Sequence, residues 1–295
     1  METSLPRLRR LAVSVQTFRR LALGSALMLM VIVASGATVR LTGSGLGCKH
    51  WPGCTAGDPF PSSGYHSDVE FSNRVVAAIT ILATLSAFVA ALLLPNAKTW
   101  VRVVAGGTFL GTFAQAPLGA ITVYYHLNPW LVLSHFLLSM LVMTLGVIVA
   151  LEAFDVRGDP VPAWARRVSL VIGAALAVLI VTGTLATAAG PHSGGTDVRR
   201  IGTLEPAVWL HVRAVAVFGV SFALLAVWLV VRRSRHLRAA LVVLGLLAVE
   251  MAIGEIQYRT RLPWGLVLVH VSLAAIVWAA AVAFVARLWR PWSSA

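Results

Sequence analysis

Hydrophobic residues fall in eight long runs that are separated by shorter polar segments. The runs cover approximately residues 19–40, 71–94, 103–124, 131–153, 168–189, 206–231, 239–257 and 265–286. Each has about 20 residues, and a helix of that length crosses about 30 Å of hydrocarbon. We therefore predict an all-α integral membrane protein with eight transmembrane helices. The run at 239–257 is the weakest of the eight, because it contains Glu250 and Glu255.

The composition favours a membrane protein over a soluble one. The chain has 295 residues, of which 58% are hydrophobic and 12% are charged. A soluble fold lacks the polar side chains to cover so much apolar surface. The net charge of +13 would suggest nucleic acid as a partner in a soluble protein. Here the basic residues cluster between the apolar runs, where topology and anionic lipid headgroups account for them. We expect membrane lipid as a partner and no nucleic acid.

The basic residues also predict an orientation. With the N-terminus inside, sixteen of the 24 Lys and Arg residues lie in cytoplasmic segments. This bias satisfies the positive-inside rule and predicts a multi-pass protein of the cell membrane with both termini in the cytoplasm. The alternative is that the first run is a signal peptide, with small residues at 34–37 as its cleavage region. That run is long for a signal peptide, and its removal would leave an odd number of helices.

The second half of the chain repeats the first. Residues 119–135 align with residues 254–270 without a gap, and the two longest outer loops, 41–69 and 190–205, each follow the first helix of a half. Self-similarity over so long a period indicates a repeated architecture. We predict two four-helix bundles, an N-terminal half at 1–155 and a C-terminal half at 156–295. Because four helices separate the repeats, a pseudo-twofold axis along the membrane normal relates them.

Two further matches extend the repeat, with small loop deletions between them. Thr42-Gly43 aligns with Thr182-Gly183, and the start of the second helix aligns with the sixth. The second alignment places Asn73 near His211, and Arg74 near Arg213.

Three histidines lie within the predicted helices at similar depth, namely His135, His211 and His270. Neutral imidazole is a good axial ligand for haem iron, and helical bundles build such sites from facing helices. His211 and His270 could hold one iron from two sides. The alternative is that each histidine bonds a neighbouring helix and serves packing alone.

The first half has Asn73 where the second half has His211. An iron bound by His135 alone would keep its other face open or weakly filled. Such a site suits the activation of oxygen, whereas a bis-histidine iron suits electron transfer. Glu70 lies one helical turn before Asn73 and could manage protons there, or it could simply pair with Arg74.

The remaining polar candidates have open assignments. Arg74 and Arg213, predicted at equivalent places in the repeat, could pair with haem propionates or could extend to lipid headgroups. Cys48 and Cys54 lie in an outer loop, where a structural disulfide is the first interpretation and a redox-active pair the second. Glu250 and Glu255 could carry protons or bind a quinone, or could bond neighbouring helices.

At these residues the sequence resembles the haem A synthase family of bacteria and mitochondria. The shared segments are VRLTGSGLGCKHWPGC after the first helix, EFSNRV opening the second, TGTLATAAGPHSGG ending the fifth, HVR at His211 and LVLVH ending at His270. The resemblance spans essentially the whole chain and implies eight helices in two halves. Its implied reaction oxidises a methyl group of haem O to a formyl group through successive hydroxylations. The product, haem A, serves cytochrome oxidase.

The resemblance also implies roles for particular residues. His211 and His270 would hold haem b in the C-terminal half, and His135 would face the iron of the substrate, haem O, in the N-terminal half. Glu70 matches the important carboxylate of the family, and the cysteine pair matches its outer-loop pair. Asn73 departs from the histidine that many members have, so the substrate iron is bound by His135 alone or has Asn73 or water on its other face.

Two other classes of function compete with the enzyme. A haem b-containing electron carrier of the quinol oxidoreductase type would use the histidines without chemistry on haem O, but Asn73 argues against two equivalent electron-transfer sites. A transporter would place its polar residues nearer the middle of the bilayer. Candidate partners of the enzyme are a haem O synthase, an electron donor and a second copy of the chain.

Overall fold

Eight α-helices account for most of the chain in a computed structural model that describes residues 12–51, 53–58, 60–61, 64–195 and 198–290. They are α1 (Val15–Leu41), α2 (Tyr65–Leu93), α3 (Thr99–Tyr124), α4 (Pro129–Ala153), α5 (Ala163–Ala189), α6 (Leu204–Val231), α7 (Leu237–Arg259) and α8 (Trp264–Trp289). The predicted all-α class and the number of helices are confirmed. The protein is a multi-pass membrane protein.

Local sequence signals fix several helix ends. The hydroxyl of Ser14 caps α1 by accepting a hydrogen bond from the amide of Thr17 at 3.1 Å. Asn128 caps α4 in the same way through the amide of Trp130, and Pro129 occupies the first turn, where no amide donor is needed. Helix α2 begins about six residues before the predicted apolar run. Its first turns are polar, so a search for hydrophobic residues does not include them.

Seven of the eight described helices are long and apolar enough to cross a membrane by composition alone. The exception is α3 and not α7, so the prediction that 239–257 is the weakest span is wrong by this measure. The sequence of α3 contains several glycines and threonines together with Gln115 and Pro117. These small and polar residues lower the mean hydropathy of the most apolar stretch of α3 below that of the other seven helices.

The helices pack in two rings of four. Helix α1 contacts α2, α2 contacts α3, α3 contacts α4, and α4 returns to α1. The same cycle of contacts runs through α5, α6, α7 and α8. The rings meet where α1 contacts α8, where α4 contacts α5, and where α4 contacts α8. A twofold axis between the rings would exchange the α1–α8 contact with the α4–α5 contact and leave the α4–α8 contact unchanged. The three contacts are therefore those that a twofold repeat requires. The predicted boundary at 155/156 lies in the turn between α4 and α5.

Trp278 joins the rings within the membrane. Its indole nitrogen on α8 donates to the carbonyl of Met140 at 3.0 Å and lies 2.9 Å from the hydroxyl of Thr144, both on α4. Buried side chains of α1, α4 and α8 surround this contact, among them Met143, which is fully buried. Around Trp278 the interface between the rings is therefore mainly apolar, and the indole adds a specific polar contact to it.

The two rings also contact each other on the side of the molecule that carries the Cys48 and Cys54 loop, through helix ends and connections. We call this side the long-loop side, and it carries the connections 42–64, 125–128, 190–203 and 260–263. The guanidinium of Arg40 donates to the carbonyl of Thr187 at 2.5 Å. The amide of Gly45 donates to the carbonyl of Gly194 at 3.0 Å.

Two turns on this side have the same unusual backbone. His126 and Leu127 have φ angles of 50° and 56°, and Arg261 and Leu262 have φ angles of 65° and 58°. A left-handed backbone is uncommon outside glycine, so the same pair of angles in both turns is a specific shared feature. The two pairs are separated by the 135-residue offset of the aligned segments.

Candidate haem-binding site

The predicted axial residues lie at matching depths in alternate helices. Asn73 is the ninth residue of α2, His135 the seventh of α4, His211 the eighth of α6 and His270 the seventh of α8. At 1.5 Å per residue each lies roughly 10 Å from the long-loop end of its helix. Within each ring the two residues occupy diagonally opposed helices, on either side of the ring interior.

A glycine of the preceding helix faces each of these side chains. A methyl group added at Gly183 would lie 3.0 Å from Cε1 of His211, and one at Gly254 would lie 3.2 Å from Cε1 of His270. At Gly119 the corresponding distance to Cε1 of His135 is 3.6 Å. At Gly36 the distance to the amide oxygen of Asn73 is 4.0 Å. Glycine thus leaves room for each imidazole to lie against the backbone of its neighbour.

These glycines correct the register of the sequence repeat. Gly36 and Gly183 occupy the equivalent places, since each faces the axial residue of the next helix. The alignment of Thr42-Gly43 with Thr182-Gly183 is therefore wrong. Thr42 follows the end of α1 as its cap, whereas Thr182 lies inside α5. The connection after α1 is longer than the connection after α5. A sequence alignment does not show where a helix ends, so this difference in length shifted the alignment.

The C-terminal ring brings two imidazoles into a shared interior. His211 and His270 lie at the eighth residue of α6 and the seventh residue of α8, on opposed helices of this ring. Nδ1 of His211 lies 3.2 Å from the hydroxyl of Thr182, and Nδ1 of His270 lies 3.1 Å from Oε1 of Glu250. Each imidazole therefore has its Nδ1 beside a polar group of a neighbouring helix. This arrangement leaves Nε2 as the nitrogen that is free to bind iron.

The N-terminal ring is equipped differently. Nδ1 of His135 and the amide oxygen of Asn73 are buried without a hydrogen-bond partner. Gln115 of α3 lies beside the histidine, but its amide nitrogen donates to the backbone carbonyl of His135 at 3.0 Å and contacts the hydroxyl of Ser139 at 2.6 Å. In the C-terminal ring, Nδ1 of His270 and Oε2 of Glu250 are likewise buried without a hydrogen-bond partner. Unpartnered buried polar atoms are costly, so these atoms mark both interiors as places for a polar or metal-containing ligand.

Glu70 is buried and connects α2 to the outer loop. Its Oε2 accepts a hydrogen bond from the amide of Cys48 at 2.8 Å, and its Oε1 forms an ion pair with Arg74 at 2.5 Å. Nη1 of Arg74 donates to the carbonyls of His50 and Gly53. The pairing that the sequence offered as an alternative for Glu70 is therefore present. The same carboxylate also fixes the loop above Asn73, which follows it by one turn of α2.

Cys48 and Cys54 form a disulfide with an S–S distance of 2.04 Å. Both are nearly completely buried, with 1% of their surface exposed. The amide of Lys49 donates to the carbonyl of Cys54 at 3.1 Å. The disulfide thus closes a small loop whose inner face rests on Glu70 and Arg74.

Arg74 and Arg213 do not occupy equivalent places. Arg74 directly follows Asn73, whereas Arg213 is the second residue after His211, so the two point about 100° apart around their helices. Arg74 contacts the loop, while Arg213 is exposed and lines an open cavity of about 450 Å³ with Glu205 and Trp209. The predicted equivalence of the two arginines is wrong for this reason.

Sequence reasoning missed the groups that surround the histidines. The sequence did not predict Gln115 or Ser139 as neighbours of a histidine. It indicated Thr182 and Gly183 only as part of the internal repeat. Glu250 was noted, but not as a neighbour of His270. The signal was present in the gap-free offset of 135, which pairs Gln115 with Glu250.

Comparison with known proteins finds one family model that matches part of the chain. Residues 19–68 match the model of the COX15-CtaA family, described as cytochrome oxidase assembly protein. The matched segment contains most of α1, the disulfide loop and the start of α2. The four axial positions at 73, 135, 211 and 270 lie outside it.

Two curated relatives have a similar sequence over part of their length. The chain is 29% identical to a heme A synthase of Symbiobacterium thermophilum over 157 residues, 50% of this chain and 51% of that protein. It is 29% identical to a heme A synthase of Bacillus pumilus over 141 residues, 46% of this chain and 45% of that protein. The chain thus spans about half the length of the curated relatives it matches. These matches confirm the resemblance that the motifs indicated.

Proposed function

We propose that this chain belongs to the COX15-CtaA haem A synthase family and oxidises a methyl group of haem O to the formyl group of haem A. Haem b would reside in the C-terminal ring and the substrate would enter the N-terminal ring. The observation that carries the proposal is the difference between the two interiors. One has an imidazole on each of two opposed helices, and the other has a single imidazole opposite an amide.

The residues of the C-terminal ring fit haem b. His211 and His270 extend from diagonally opposed helices into one interior, and each has its Nδ1 beside a polar group. A haem held between two imidazoles supplies one-electron transfer. Gly183 and Gly254 let each imidazole lie close to a helix backbone, so that the protein fixes the distance between the two nitrogen ligands.

The residues of the N-terminal ring fit a substrate rather than a permanent cofactor. His135 offers one nitrogen ligand to the iron of haem O, and it has no carboxylate beside its Nδ1 to strengthen that bond. Asn73 is a poor iron ligand, so the second face stays accessible to a small molecule or water. Successive hydroxylations of one methyl group require this kind of access, together with orientation of the substrate.

Glu70 and the disulfide loop have a positioning role in this proposal. The buried carboxylate holds the amide of Cys48 and the guanidinium of Arg74, one turn away from Asn73. Because the carboxylate is close to the open face, it can also accept or release protons there. Arg74 and Arg213 are proposed to contact the propionates of the two haems, Arg213 from the rim of its cavity.

We extend the proposal to domains and topology. Residues 1–155 form the substrate half and residues 156–295 the haem b half, in agreement with the two rings of contacts. Both termini lie in the cytoplasm of a plasma-membrane protein, as the distribution of basic residues favours. The long-loop side then faces outwards, where the disulfide persists.

Extraction of haem from cells that express the chain together with a haem O synthase tests the reaction. Haem A is expected in the extract and only haem O in cells that lack the chain. Recovery of haem O alone, from protein that is folded and contains haem b, would contradict the proposed reaction.

Single histidine variants test the division of labour. His135→Ala should abolish haem A while the low-spin haem b spectrum persists, and His270→Ala should remove that spectrum. His126→Asn is a matched control, because His126 lies exposed in a turn and asparagine tolerates its left-handed backbone. An unchanged spectrum in His270→Ala would remove the ligand assignment.

The pair of imidazoles on opposed helices by itself also favours a second function, a membrane electron carrier with haem b. A carrier that binds haem b but leaves haem O unchanged would show a normal spectrum and no haem A. The extraction experiment therefore separates the two functions.

A further inference from the structure

Glu250 is a buried carboxylate that the proposed reaction does not use. It lies on α7 with 8% of its surface exposed. Within the described ranges, no lysine or arginine forms an ion pair with it. Its Oε1 lies 3.1 Å from Nδ1 of His270, although the two groups are not aligned for a hydrogen bond. Nδ1 of His270 and Oε2 of Glu250 are both buried without a hydrogen-bond partner. A carboxylate in such a place is expensive to bury, so its one close neighbour is significant.

The equivalent position of the other ring has no acid. Gln115 and Glu250 are separated by 135 residues, which is also the separation between His135 and His270. Both therefore precede their histidine by 20 residues and lie on the helix before it. Gln115 bonds the backbone carbonyl of its histidine and Ser139, and within the described residues no carboxylate forms an ion pair with His135. One helix position thus has a neutral amide in one ring and a carboxylate in the other.

A carboxylate beside Nδ1 has two physical effects on an imidazole. It accepts the Nδ1–H hydrogen bond, which fixes the tautomer with its lone pair on Nε2 and fixes the orientation of the ring. It also raises the electron density of the imidazole, so that the ring becomes a stronger donor to a bound metal. A stronger donor stabilises ferric iron more than ferrous iron.

We propose that Glu250 is a positioning residue for His270, which orients this axial imidazole and lowers the reduction potential of the haem bound to it. The inference rests on the proposed function in one respect, namely that His270 binds haem b. Gln115 gives His135 no such support, so the two irons differ in potential as well as in coordination. A lower potential in the C-terminal ring favours electron flow from haem b towards the substrate.

Redox titration of the purified haem b-containing protein tests the proposal. Glu250→Gln retains the shape of the side chain and removes its charge, and should raise the midpoint potential of the low-spin haem. Outer partners of metal-bound histidines typically change affinity about 10- to 100-fold. For a one-electron couple, the same change in the ferric-to-ferrous preference is a shift of about 60 to 120 mV.

Glu255→Gln is the matched control. Glu255 lies on the same helix but is exposed and paired with Arg259, so its loss should leave the potential unchanged. A Glu250→Gln protein with the potential of the wild type would overturn the proposal, and so would an equal shift in both variants. If Glu250→Gln fails to retain haem, Glu250→Asp should regain it. A Glu250→Ala protein that keeps the wild-type potential also contradicts the role.

Failure of this inference differs from failure of the proposed function. The potential of haem b is measured without haem O, and its shift does not depend on whether haem A is formed. A wild-type protein without low-spin haem would instead refute the haem b site itself. Reciprocal substitution of Gln115 by Glu leaves the potential of haem b unchanged if the effect is local to His270.

Discussion

Substitution of the glycines that face the histidines gives a graded test of the haem b site. A methyl group at Gly183 would lie 3.0 Å from Cε1 of His211, and one at Gly254 would lie 3.2 Å from Cε1 of His270. Carbon atoms prefer separations of about 3.5 to 4.0 Å. The imidazole must therefore withdraw by about 0.5 to 1 Å in Gly183→Ala, and by less in Gly254→Ala.

The size of the effect follows from the movement of the ring. A side chain about 30° away from its preferred rotamer costs roughly 0.5 to 1.5 kcal/mol. This cost corresponds to a loss of haem b affinity of about 2- to 12-fold in Gly183→Ala, at about 1.4 kcal/mol per tenfold change. We expect Gly254→Ala to lie near the lower limit. Gly119→Ala, whose methyl group would be 3.6 Å from His135, should leave the N-terminal ring unchanged.

The assay is the ratio of haem b to purified protein, followed by haem transfer to excess apomyoglobin. Gly173→Ala on α5 and Gly245→Ala on α7 are matched controls, because a methyl group at either place would contact nothing within 4 Å. The reasoning is refuted if Gly183→Ala retains haem b as well as the wild type. It is equally refuted if Gly173→Ala loses as much haem as Gly183→Ala.

Three further outcomes are expected. Glu70→Gln should abolish haem A formation and leave the low-spin haem b spectrum intact, because Glu70 contacts only the N-terminal half and its loop; loss of haem b as well would contradict this separation. Replacement of both Cys48 and Cys54 by serine should lower the free energy of unfolding by about 2 kcal/mol, which is the loop-closure contribution of so short a loop. An unchanged thermal midpoint of the detergent-solubilised protein would argue against a structural role of the disulfide. Trp278→Phe should cost about 1 kcal/mol through loss of its contacts with α4, measured by the same melt, with Trp209→Phe as an exposed control that should not change the midpoint.

Glu70 and the disulfide loop form one connected unit beside Asn73. The carboxylate holds the Cys48 amide, the guanidinium of Arg74 holds two loop carbonyls, and Asn73 lies between them along the helix. A variant of Glu70 therefore changes both the loop and the surroundings of Asn73. The spectrum of haem b in the other ring separates a local effect of this kind from general unfolding.

The candidate site was predictable to different degrees. The depth of His135, His211 and His270 in their helices follows from counting residues along apolar runs, because one helix rises by a fixed amount per residue. The pairing of Cys48 with Cys54 was also expected and is confirmed by the structure. The lack of equivalence between Arg74 and Arg213 was missed, since one residue of difference rotates a side chain by about 100°.

The sequence by itself determined the membrane class, the eight helices and the long connections, because hydrophobicity, helix length and turn residues are properties of short segments. It also contained the offset of 135 residues that relates the second parts of the two halves. Only the tertiary structure decided that Gly36 corresponds to Gly183, that Gly183 and Gly254 face the two histidines, and that Glu250 lies beside His270. These contacts depend on the rotation of each helix about its axis, which packing between helices fixes. The hydrophobic pattern is too uniform to specify that rotation, since lipid and protein interior are equally apolar.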